Sequence, residues 1–519
     1  FGVATMEEPQ PKRECTDELS YTRGPYPLDM AMFKENRGKL VARFESEQGL
    51  LLFQGGEGKC RHETDHEPVF RQQSTFQYLF GVREPDCFGV IEVPTGRTTL
   101  YVPRLPESYA IWMGKIQPPS HFQEYYQVDR CLHVDEMAAD IAALSPSVIH
   151  TTKGLNTDSG AYAEEAAFEG IERFTVDSSR LYYEVVECRV LKSARELALL
   201  QFANDVSSDA HLRVMAAAKG LQREHQLESR FLAHCYEYGA CRHPGYTCIC
   251  ACGPNGAVLH YGHAGAPNDA PLPEGAMCLL DMGGEAHCYG ADITCSFPKN
   301  GVFNARQRAL FEAVRAMQVE VMRAVRPGAA WPALHELACR VLCERLKALG
   351  LLVGEVEAMM AANLGAVFMP HGLGHLLGLD THDVGGFPTP RSAEALAAAA
   401  AGKPLPWPPE RDPRAGYRSL RLVRVLAAGM VVTVEPGIYF IDVCLDQALA
   451  DPARARFLAA EELATWRGAG GVRLEDNLVV TEGGARNLTR CPRTVEEVEA
   501  VMAGRITHRR ELVSNDQVW

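Results

Sequence analysis

The sequence predicts an α+β domain that follows a smaller α/β domain. Three observations support this prediction: the length of the chain, its composition and a change of pattern along it. With 519 residues, of which 46% are hydrophobic and 23% charged, the chain is too long for one core and polar enough for a globular protein. Short β-type runs alternate with helical stretches early in the chain, whereas later strands follow one another through hairpins or long crossovers.

The first domain is predicted to cover residues 1–185. Its β-type runs lie at 51–53, 89–93, 98–102 and 147–150. Helical stretches separate these runs, and alternation of this kind is typical of an α/β domain. We place the boundary within residues 178–192, so that the second domain covers residues 186–519.

The second domain contains three helices whose ends are marked in the sequence. Ser193 and Asn304 each begin a capping box, and Pro332 opens the third helix at a first-turn position. The predicted helices therefore cover 193–219, 304–327 and 332–350. The strands that carry the residues discussed below are predicted at 277–282, 288–297, 430–435 and 472–480.

Residues 389–417 differ in composition from the rest of the second domain. The segment is rich in alanine, proline and arginine and includes an alanine run at 397–401. We interpret it as a surface insertion or flexible loop.

Charge and cysteine usage exclude several classes of function. A formal net charge of -14 argues against nucleic acid as the main partner, because phosphate binding requires a positive field. No apolar run approaches the roughly 18 residues of a membrane span, and the amino terminus lacks the apolar core of a secretory signal. Seventeen cysteines in such a chain predict reduced thiols and a cytoplasmic location. We interpret Cys248, Cys250 and Cys252 as buried thiols and not as a zinc site.

Four acidic residues end or interrupt apolar, strand-like runs. Asp281 and Asp292 lie in two such runs joined by a short glycine-containing turn, so they could face each other across a hairpin. Glu435 and Glu475 repeat the pattern further along the chain. Carboxylates held together in an apolar sheet repel one another, and a bound cation relieves that cost. Four converging acids would carry about four negative charges and match two divalent ions.

A histidine would complete such a site, and His375 is the candidate. It ends the segment PHGLGH, in which two glycines separate it from His371. The alternative interpretations are a glycine-rich surface loop with solvated histidines, and hydrogen-bonded structural aspartates in the neighbouring strands. His260, His263 and His382 also lie near the acidic strands in sequence, which favours the metal site.

Several segments resemble the prolidase group of the pita-bread metallopeptidases. Those of the second domain are HYGHAGAPND (260–269), DMGGE (281–285), ADITCSFP (291–298), FMPHGLGH (368–375), HDVGG (382–386), TVEPGIYF (433–440) and GGVRLED (470–476). Segments 70–82, 112–116 and 156–160 extend the resemblance into the first domain. The resemblance implies a C-terminal pita-bread catalytic domain after an α/β domain of the creatinase/prolidase type. The stretch 389–417 departs from the family pattern because it is longer.

The resemblance also implies an activity and a set of functional residues. The activity is hydrolysis of Xaa-Pro dipeptides by a hydroxide that bridges two divalent ions per subunit, with Mn²⁺ expected and Co²⁺, Zn²⁺ or Fe²⁺ as alternatives. Glu435 is expected to transfer the proton, and His371 and His382 are expected to donate hydrogen bonds to the oxyanion or to the substrate carboxylate. The implied metal ligands are Asp281, Asp292, His375, Glu435 and Glu475. The implied substrate-binding residues are Tyr246, His260, His382, Arg421 and Trp112, with Thr294 and Arg473 supporting the ligands.

The resemblance leaves partners and two other functions open. It implies a homodimer, in which Trp112 reaches the pocket from its own first domain or from a partner subunit. One alternative is an aminopeptidase P-like enzyme that removes the first residue from longer Xaa-Pro peptides. The other is a metal-free binding protein on the same scaffold.

Overall fold

The computed structural model describes residues 24–45 and 47–513, and its first third is built around one mixed sheet. The strands are β1 (Gly49–Gln54), β2 (Phe88–Val93), β3 (Thr98–Val102), β4 (Arg130–His133), β5 (Ile149–His150) and β6 (Val176–Asp177). The helices are α1 (Ala31–Ala42), α2 (Ser74–Phe80), α3 (Tyr109–Met113), α4 (Pro119–Tyr125), α5 (Met137–Leu144) and α6 (Leu181–Val190).

The order of strands in this sheet is β4-β3-β2-β1-β5-β6. The central strands β1, β2 and β3 pair antiparallel, whereas β4, β5 and β6 join in parallel. All four predicted β-type runs of the first domain overlap strands of this sheet. Helix α6 passes through residue 185, so a division of the chain at that residue stays a prediction.

The remainder of the chain mixes long helices with short antiparallel ladders. The helices are α7 (Ala194–Ala217), α8 (Glu224–Gly239), α9 (Ala305–Ala324), α10 (Trp331–Ala348), α11 (Val356–Ala361), α12 (Gly365–Phe368), α13 (Ala393–Ala400), α14 (Asp442–Ala450), α15 (Pro452–Ala455), α16 (Ala460–Ala464) and α17 (Val495–Met502). The strands are β7 (His243–Pro244), β8 (Ile249–Cys252), β9 (Met277–Asp281), β10 (Gly284–Ala286), β11 (Tyr289–Gly290), β12 (Thr294–Pro298), β13 (Val431–Val434), β14 (Gly437–Tyr439), β15 (Gly471–Arg473), β16 (Asp476–Thr481) and β17 (Gly484–Asn487).

The predicted helix starts are confirmed. The side chains of Ser193 and Asn304 accept hydrogen bonds from the backbone N–H groups of Glu196 and Gln307, and both capping boxes are complete. These contacts satisfy amide groups that the first turn of a helix leaves without partners. Helix α10 begins one residue before Pro332, as its first-turn proline predicts.

Two predicted strands are wrong in their extent. The interval 472–480 is interrupted between β15 and β16, and the interval 288–297 is interrupted between β11 and β12 in the first hairpin. The residues at the tip of this hairpin are His287 and Cys288, both with positive φ, so the turn itself contains no glycine. Segment 389–417, predicted to be a surface insertion or flexible loop, is mostly exposed. It contains α13, which Ser392 caps, and Trp407 donates a hydrogen bond to the Tyr183 hydroxyl across 3.0 Å.

One buried cluster of apolar side chains extends through both parts of the molecule, from Met32 in α1 to Leu512 near the end of the described chain. Cys248, Cys250 and Cys252 are buried in it, and the Sγ atoms of Cys252 and Cys278 are 3.6 Å apart. These thiols are core groups, as predicted. Within residues 24–45 and 47–513, every helix is too short or too polar to cross a bilayer.

Candidate metal centre

The two aspartates lie where an antiparallel ribbon is interrupted. Asp281 ends β9 and stands opposite Thr294, the first residue of β12. The ladder then stops and resumes between β10 and β11, and Asp292 lies in the gap. At this gap the two sides of the hairpin are so close that a Cβ atom added to Gly283 would lie 1.7 Å from the carbonyl oxygen of Ala291. The hairpin predicted from the sequence therefore brings the two acids together, with Asp292 beside the strand and not within it.

The two glutamates occupy an equivalent interruption in a second ribbon. The ladder of β13 and β16 ends at the pair Val434 and Asp476, and it resumes in β14 and β15 at the pair Gly437 and Arg473. Glu435 directly follows β13, whereas Glu475 directly precedes β16. Both acids consequently lie in the gap, as the aspartates do in the first ribbon.

Hydrogen bonds join the two ribbons at the acidic residues. The backbone N–H of Asp292 donates to Asn477 Oδ1 across 2.9 Å, and the Asn477 amide group donates back to the Asp292 carbonyl. The backbone N–H of Glu475 donates to the carbonyl of Thr294 across 3.1 Å. The spacing between the aspartates and the glutamates is therefore set by main-chain groups of Asp292, Thr294 and Glu475 together with the buried side chain of Asn477.

His375 lies on the segment that runs beside β13. Its backbone carbonyl accepts from the Thr433 N–H across 2.9 Å, and its own N–H donates to Thr433 Oγ1 across 3.0 Å. Ring atom Nδ1 is 3.0 Å from the Leu376 carbonyl and must donate to it. This contact leaves Nε2 facing Asp292 at 3.3 Å and Glu435 at 3.5 Å. A backbone acceptor on Nδ1 is the usual way in which a metal-binding histidine is oriented.

The ionisation of these groups reflects their burial and mutual repulsion. Burial raises the pKa of Asp281 to about 6 and that of Glu435 to about 7, in both cases against the opposing charge of Arg473. Burial and the neighbouring carboxylates also raise the pKa of Glu475. Burial alone would lower the pKa of His375, but the contacts with Asp292 and Glu435 raise it to about 9. Without a metal ion, these groups therefore tend to bind protons, which a metal cation can displace.

The donor set fits divalent metal ions. Ligand atoms of Asp292, His375 and Glu475 all lie within 4.8 Å of one another, and these residues are buried. Carboxylate oxygens with one imidazole nitrogen suit Mn²⁺, Fe²⁺, Co²⁺ or Zn²⁺. Asp281 and Glu435 border the same cavity, which has a volume of about 730 Å³. All five predicted ligands are thus present at one place.

Three polar side chains hold the ligands. Arg473 donates to Asp281 Oδ2 across 2.6 Å and to Thr294 Oγ1 across 3.0 Å. Tyr246 donates to the other oxygen of Asp281 across 2.5 Å. The hydroxyl of Thr294 in turn donates to Glu475 across 2.7 Å. Arg473, Thr294 and Tyr246 therefore all contact carboxylate side chains of the cluster, and the supporting role of Arg473 and Thr294 stays a prediction.

Most of the predicted substrate-binding residues line the cavity, whereas Trp112 does not. Tyr246, His260, His382 and Arg421 all border it. Trp112 lies on α3 with 84% of its surface exposed and is absent from the cavity wall. Within one chain Trp112 therefore does not reach the pocket. The prediction that it closes the pocket, from its own first domain or from a partner subunit, stays a prediction.

His371 also borders the cavity, but both of its ring nitrogens have partners inside the protein. Nδ1 is 2.8 Å from the Gly372 carbonyl and so donates to it, which leaves Nε2 to accept from the Tyr439 hydroxyl at 3.1 Å. Burial lowers the pKa of His371 to about 3, consistent with a neutral ring. For His371 to donate a hydrogen bond to the substrate, as predicted, its ring would first have to break the hydrogen bond with the Tyr439 hydroxyl.

The three arginines near the cavity have different surroundings. Arg421 borders the cavity, whereas Arg424 is 3% exposed and donates to Glu187 and to the Gly385 carbonyl. Arg418 is exposed and does not line the cavity. Gly386 fixes the main chain at Arg421, because a Cβ on Gly386 would be 1.8 Å from the Arg421 carbonyl oxygen.

Three residues that contact side chains of this site were not predicted from the sequence. Tyr439 accepts a hydrogen bond from Arg473 across 2.8 Å and bonds His371. Asn477 joins the two ribbons as described above. Asp158 makes an ion pair with Arg421 across 3.4 Å. All three lie in or next to quoted segments, so position beside a ligand was the available signal.

The interrupted ribbons and the acidic cavity define the class of protein: a metal-dependent hydrolase with a pita-bread catalytic domain. The sequence comparisons agree with this class. Residues 198–482 match Metallopeptidase family M24, and residues 33–150 match the family Aminopeptidase P, N-terminal domain. The chain belongs to metallopeptidase family M24. The predicted resemblance and fold class are thereby confirmed.

Individual relatives cover nearly the whole chain. The Xaa-Pro dipeptidase of Homo sapiens is 52% identical over 482 residues, which is 92% of this chain and 94% of that protein. A probable Xaa-Pro aminopeptidase of Verticillium alfalfae is 35% identical over 93% of this chain and 98% of that protein. Among solved structures, Zn-substituted Escherichia coli aminopeptidase P in complex with product is 28% identical, with a TM-score of 0.71 and coverage of 92% and 99%.

Proposed function

We propose that this chain hydrolyses dipeptides that end in proline and uses two divalent metal ions to do so. The observation that carries the proposal is the presence of Arg421 in the same cavity as the five acidic and imidazole ligands. A cation beside a hydrolytic centre suits a substrate whose free carboxylate lies close to the scissile bond. The 52% identity to a dipeptidase over most of the chain supports the same conclusion.

The five ligands are Asp281, Asp292, His375, Glu435 and Glu475. Divalent ions held there would polarise the scissile carbonyl and lower the pKa of a water molecule. Tyr246, Thr294 and Arg473 keep the carboxylates in place, so their oxygen atoms need no rearrangement when a substrate binds.

Glu435 is the proposed proton carrier. It lies in the cavity wall and its side chain is 18% exposed, more than those of Asp292 and His375. It can accept a proton from the attacking water and then donate it to the leaving proline nitrogen. The proton has to reach that nitrogen because the C–N bond breaks readily only when the nitrogen leaves as a neutral amine and not as an amide anion.

His382 is the proposed donor to the oxygen of the scissile carbonyl. Its ring packs against His375 in a T-shaped arrangement with centroids 4.5 Å apart, so it stands directly beside the ligands. Burial and the charge on His375 lower the pKa of His382 to about 3. A neutral imidazole can still donate one N–H to developing negative charge.

Arg421 and His260 are proposed to bind the substrate carboxylate. Burial and the nearby charge of Arg421 lower the pKa of His260, which is consistent with a cationic environment at this end of the cavity. A carboxylate at a fixed distance from the ligands would limit cleavage to two-residue substrates. Longer peptides place an uncharged amide there instead.

Aminopeptidase P-like activity is the alternative, favoured by the similarity to Escherichia coli aminopeptidase P. An enzyme of this kind would not require a carboxylate next to the scissile bond. A metal-free binding function would leave the repulsion among four closely spaced acids to be offset by Arg473 and by bound protons alone.

The proposal also includes Mn²⁺ as the metal, a homodimer, a cytoplasmic location, and two domains that cover residues 1–185 and 186–519. All four were predicted from the sequence. The exposed side chains of Ile111, Trp112 and Met113 on α3 support a subunit contact that involves Trp112. Isolated apolar side chains occur on most surfaces, but three adjacent ones form a patch that favours contact with another protein.

The experiment compares hydrolysis of Gly-Pro and Gly-Pro-Ala by the full chain after removal of metal with a chelator and after addition of Mn²⁺. We expect metal-dependent cleavage of Gly-Pro alone. Replacement Arg421→Met should lower kcat/KM for Gly-Pro by roughly 100-fold, mostly through KM, because it removes a charge-assisted contact. The exposed neighbour Arg418→Gln serves as the matched control and should retain wild-type kinetics.

Other outcomes lead to other conclusions. Cleavage of Gly-Pro-Ala at a rate similar to that of Gly-Pro would replace the dipeptidase proposal by the aminopeptidase alternative. Failure to cleave either peptide, together with no bound metal by elemental analysis, would favour the binding protein.

A further inference from the structure

The first domain contributes a charged side chain to the rim of the cavity. Asp158 lies in the loop between β5 and β6, and its Oδ1 atom is 3.4 Å from Arg421 Nη1. The Asp158 side chain is only 12% exposed, so its charge is poorly screened by water. The backbone N–H of Asp158 donates to Asn156 Oδ1 across 2.9 Å, which holds the loop in a turn.

A second arginine ties this loop to the segment that carries Arg421. Arg411 Nη2 donates to the Thr157 carbonyl across 2.6 Å and lies 3.8 Å from Asp158 Oδ1. Its other terminal nitrogen donates to the Leu420 carbonyl across 2.7 Å. The guanidinium also lies over the ring of Phe387, 4.7 Å from its centroid. Arg411 belongs to segment 389–417, which the sequence predicted to be a loop.

The cluster of Asp158, Arg411 and Arg421 contains more positive than negative charge. Two guanidinium groups surround one carboxylate, so one positive charge is left uncompensated at the edge of the cavity. The main chain at Arg421 is fixed by its close contact with Gly386, but an arginine side chain retains several rotatable bonds. Asp158 restricts those bonds before a substrate arrives, and such ordering lowers the entropic cost of binding.

We propose that Asp158 is a positioning residue that holds Arg421 toward the cavity for recognition of the substrate carboxylate, and that Arg411 clamps Asp158 in place. The inference rests on the proposed dipeptidase function and adds to it a contribution from the first domain and from segment 389–417. It assigns to that segment a role in substrate affinity and leaves the metal centre unaffected.

The test measures kcat and KM for Gly-Pro with the Mn²⁺-loaded full chain. Asp158→Asn keeps the shape of the side chain but removes its charge, and we expect KM to rise about tenfold with kcat within about twofold of wild type. Arg411→Gln should raise KM by about threefold, because it acts through Asp158. Asp412→Asn, which removes an exposed carboxylate of the same segment, is the control and should leave both constants unchanged.

A double-mutant cycle decides whether Asp158 acts through Arg421. If it does, Asp158→Asn will have no further effect on kcat/KM in an Arg421→Met background. Additive losses, an unchanged KM in Asp158→Asn, or a loss confined to kcat would each overturn the inference. Should Asp158→Asn fail to fold, an unchanged KM in Arg411→Gln would overturn it. A wild-type chain that does not cleave Gly-Pro would instead refute the proposed function.

Discussion

The metal centre and the rim of the cavity are held in different ways. The four acids lie at interruptions of two antiparallel ribbons, and main-chain and Asn477 hydrogen bonds join those ribbons. At the rim, by contrast, ion pairs connect segments far apart in sequence. Arg421 pairs with Asp158, and Asp383, next to His382, pairs with buried Lys192 across 2.9 Å.

The difference separates two properties of the site. Ligand positions follow from strand register, which changes little when a neighbouring side chain is replaced. Positions at the rim depend on individual charges, so one substitution there can alter substrate affinity or stability while the metal stays bound. Substitutions in the two regions should therefore give different combinations of metal content, kinetics and stability.

The largest effect is expected at the metal centre. His375→Ala removes the imidazole ligand, and we expect kcat for Gly-Pro to fall by at least about 1,000-fold with a lower metal content. The measurement is metal per chain by elemental analysis, together with kcat at saturating Mn²⁺.

The matched control for His375 is a buried histidine of the first domain. His150 lies between Asp177 and Glu47, so His150→Ala should cost stability but leave metal content and kcat unchanged. Full metal content in His375→Ala would contradict the assignment of His375 as a ligand.

A large effect on stability is expected at the buried ion pairs behind the rim. Asp383 is buried and pairs with Lys192 and Arg189, so Asp383→Asn leaves buried positive charge uncompensated. We expect the free energy of unfolding to fall by about 3 kcal/mol at pH 7. Denaturant unfolding of the metal-loaded chain measures this change.

The effect of Asp383 has a defined pH dependence. Burial opposes ionisation of Asp383, but Lys192 and Arg189 outweigh it and lower its pKa below the ordinary 3.8. A carboxyl group with a lowered pKa stabilises the folded state above its unfolded pKa, and this contribution is lost as pH falls through the folded value. The difference in the free energy of unfolding between wild type and Asp383→Asn should thus be constant near neutrality and shrink below about pH 4.

Asp380→Asn is the control for this stability measurement. The Asp380 side chain is 38% exposed, so its replacement should lower the free energy of unfolding by less than about 1 kcal/mol.

The smallest effect concerns the link between the two regions. Tyr439→Phe removes the hydroxyl that joins Arg473 to His371, and we expect kcat to fall about tenfold with unchanged metal content. Tyr101→Phe is the control, because this buried tyrosine bonds Asp140 in the first domain. Equal kinetics in the two variants would show that the Tyr439 hydroxyl has no part in the reaction.

The metal centre was predictable only in part from local signals. Asp281 and Asp292 lie on consecutive apolar runs, so their closeness across a hairpin could be predicted from the sequence. The convergence of His375, Glu435 and Glu475 on them has no local signal and was implied by the family resemblance. The helix starts at Ser193 and Asn304 were predicted from a local signal, because a capping box spans only four residues.

The rim was harder to predict because its contacts are not local. Nothing near Asp158 in the sequence indicates Arg421 or Arg411 as its partners, since an ion pair between distant segments has no periodicity. The composition of residues 389–417 also gave no sign of the ordered contacts within this surface segment. Its alanines form α13, and its Trp407 and Arg411 are anchored by partners from other parts of the chain.

Gly283, which has no side-chain carbon, limits the substitutions that the metal centre can tolerate. Adding one methyl group at Gly283 would place carbon 1.7 Å from the Ala291 carbonyl oxygen, so the two chains of the first ribbon would have to separate. Asp281 and Asp292 sit on opposite sides of that contact and would move apart with them. A neutral replacement that alters no ligand and no charge would then abolish metal binding. A residue that takes no part in the chemistry can be as intolerant of change as the ligands themselves.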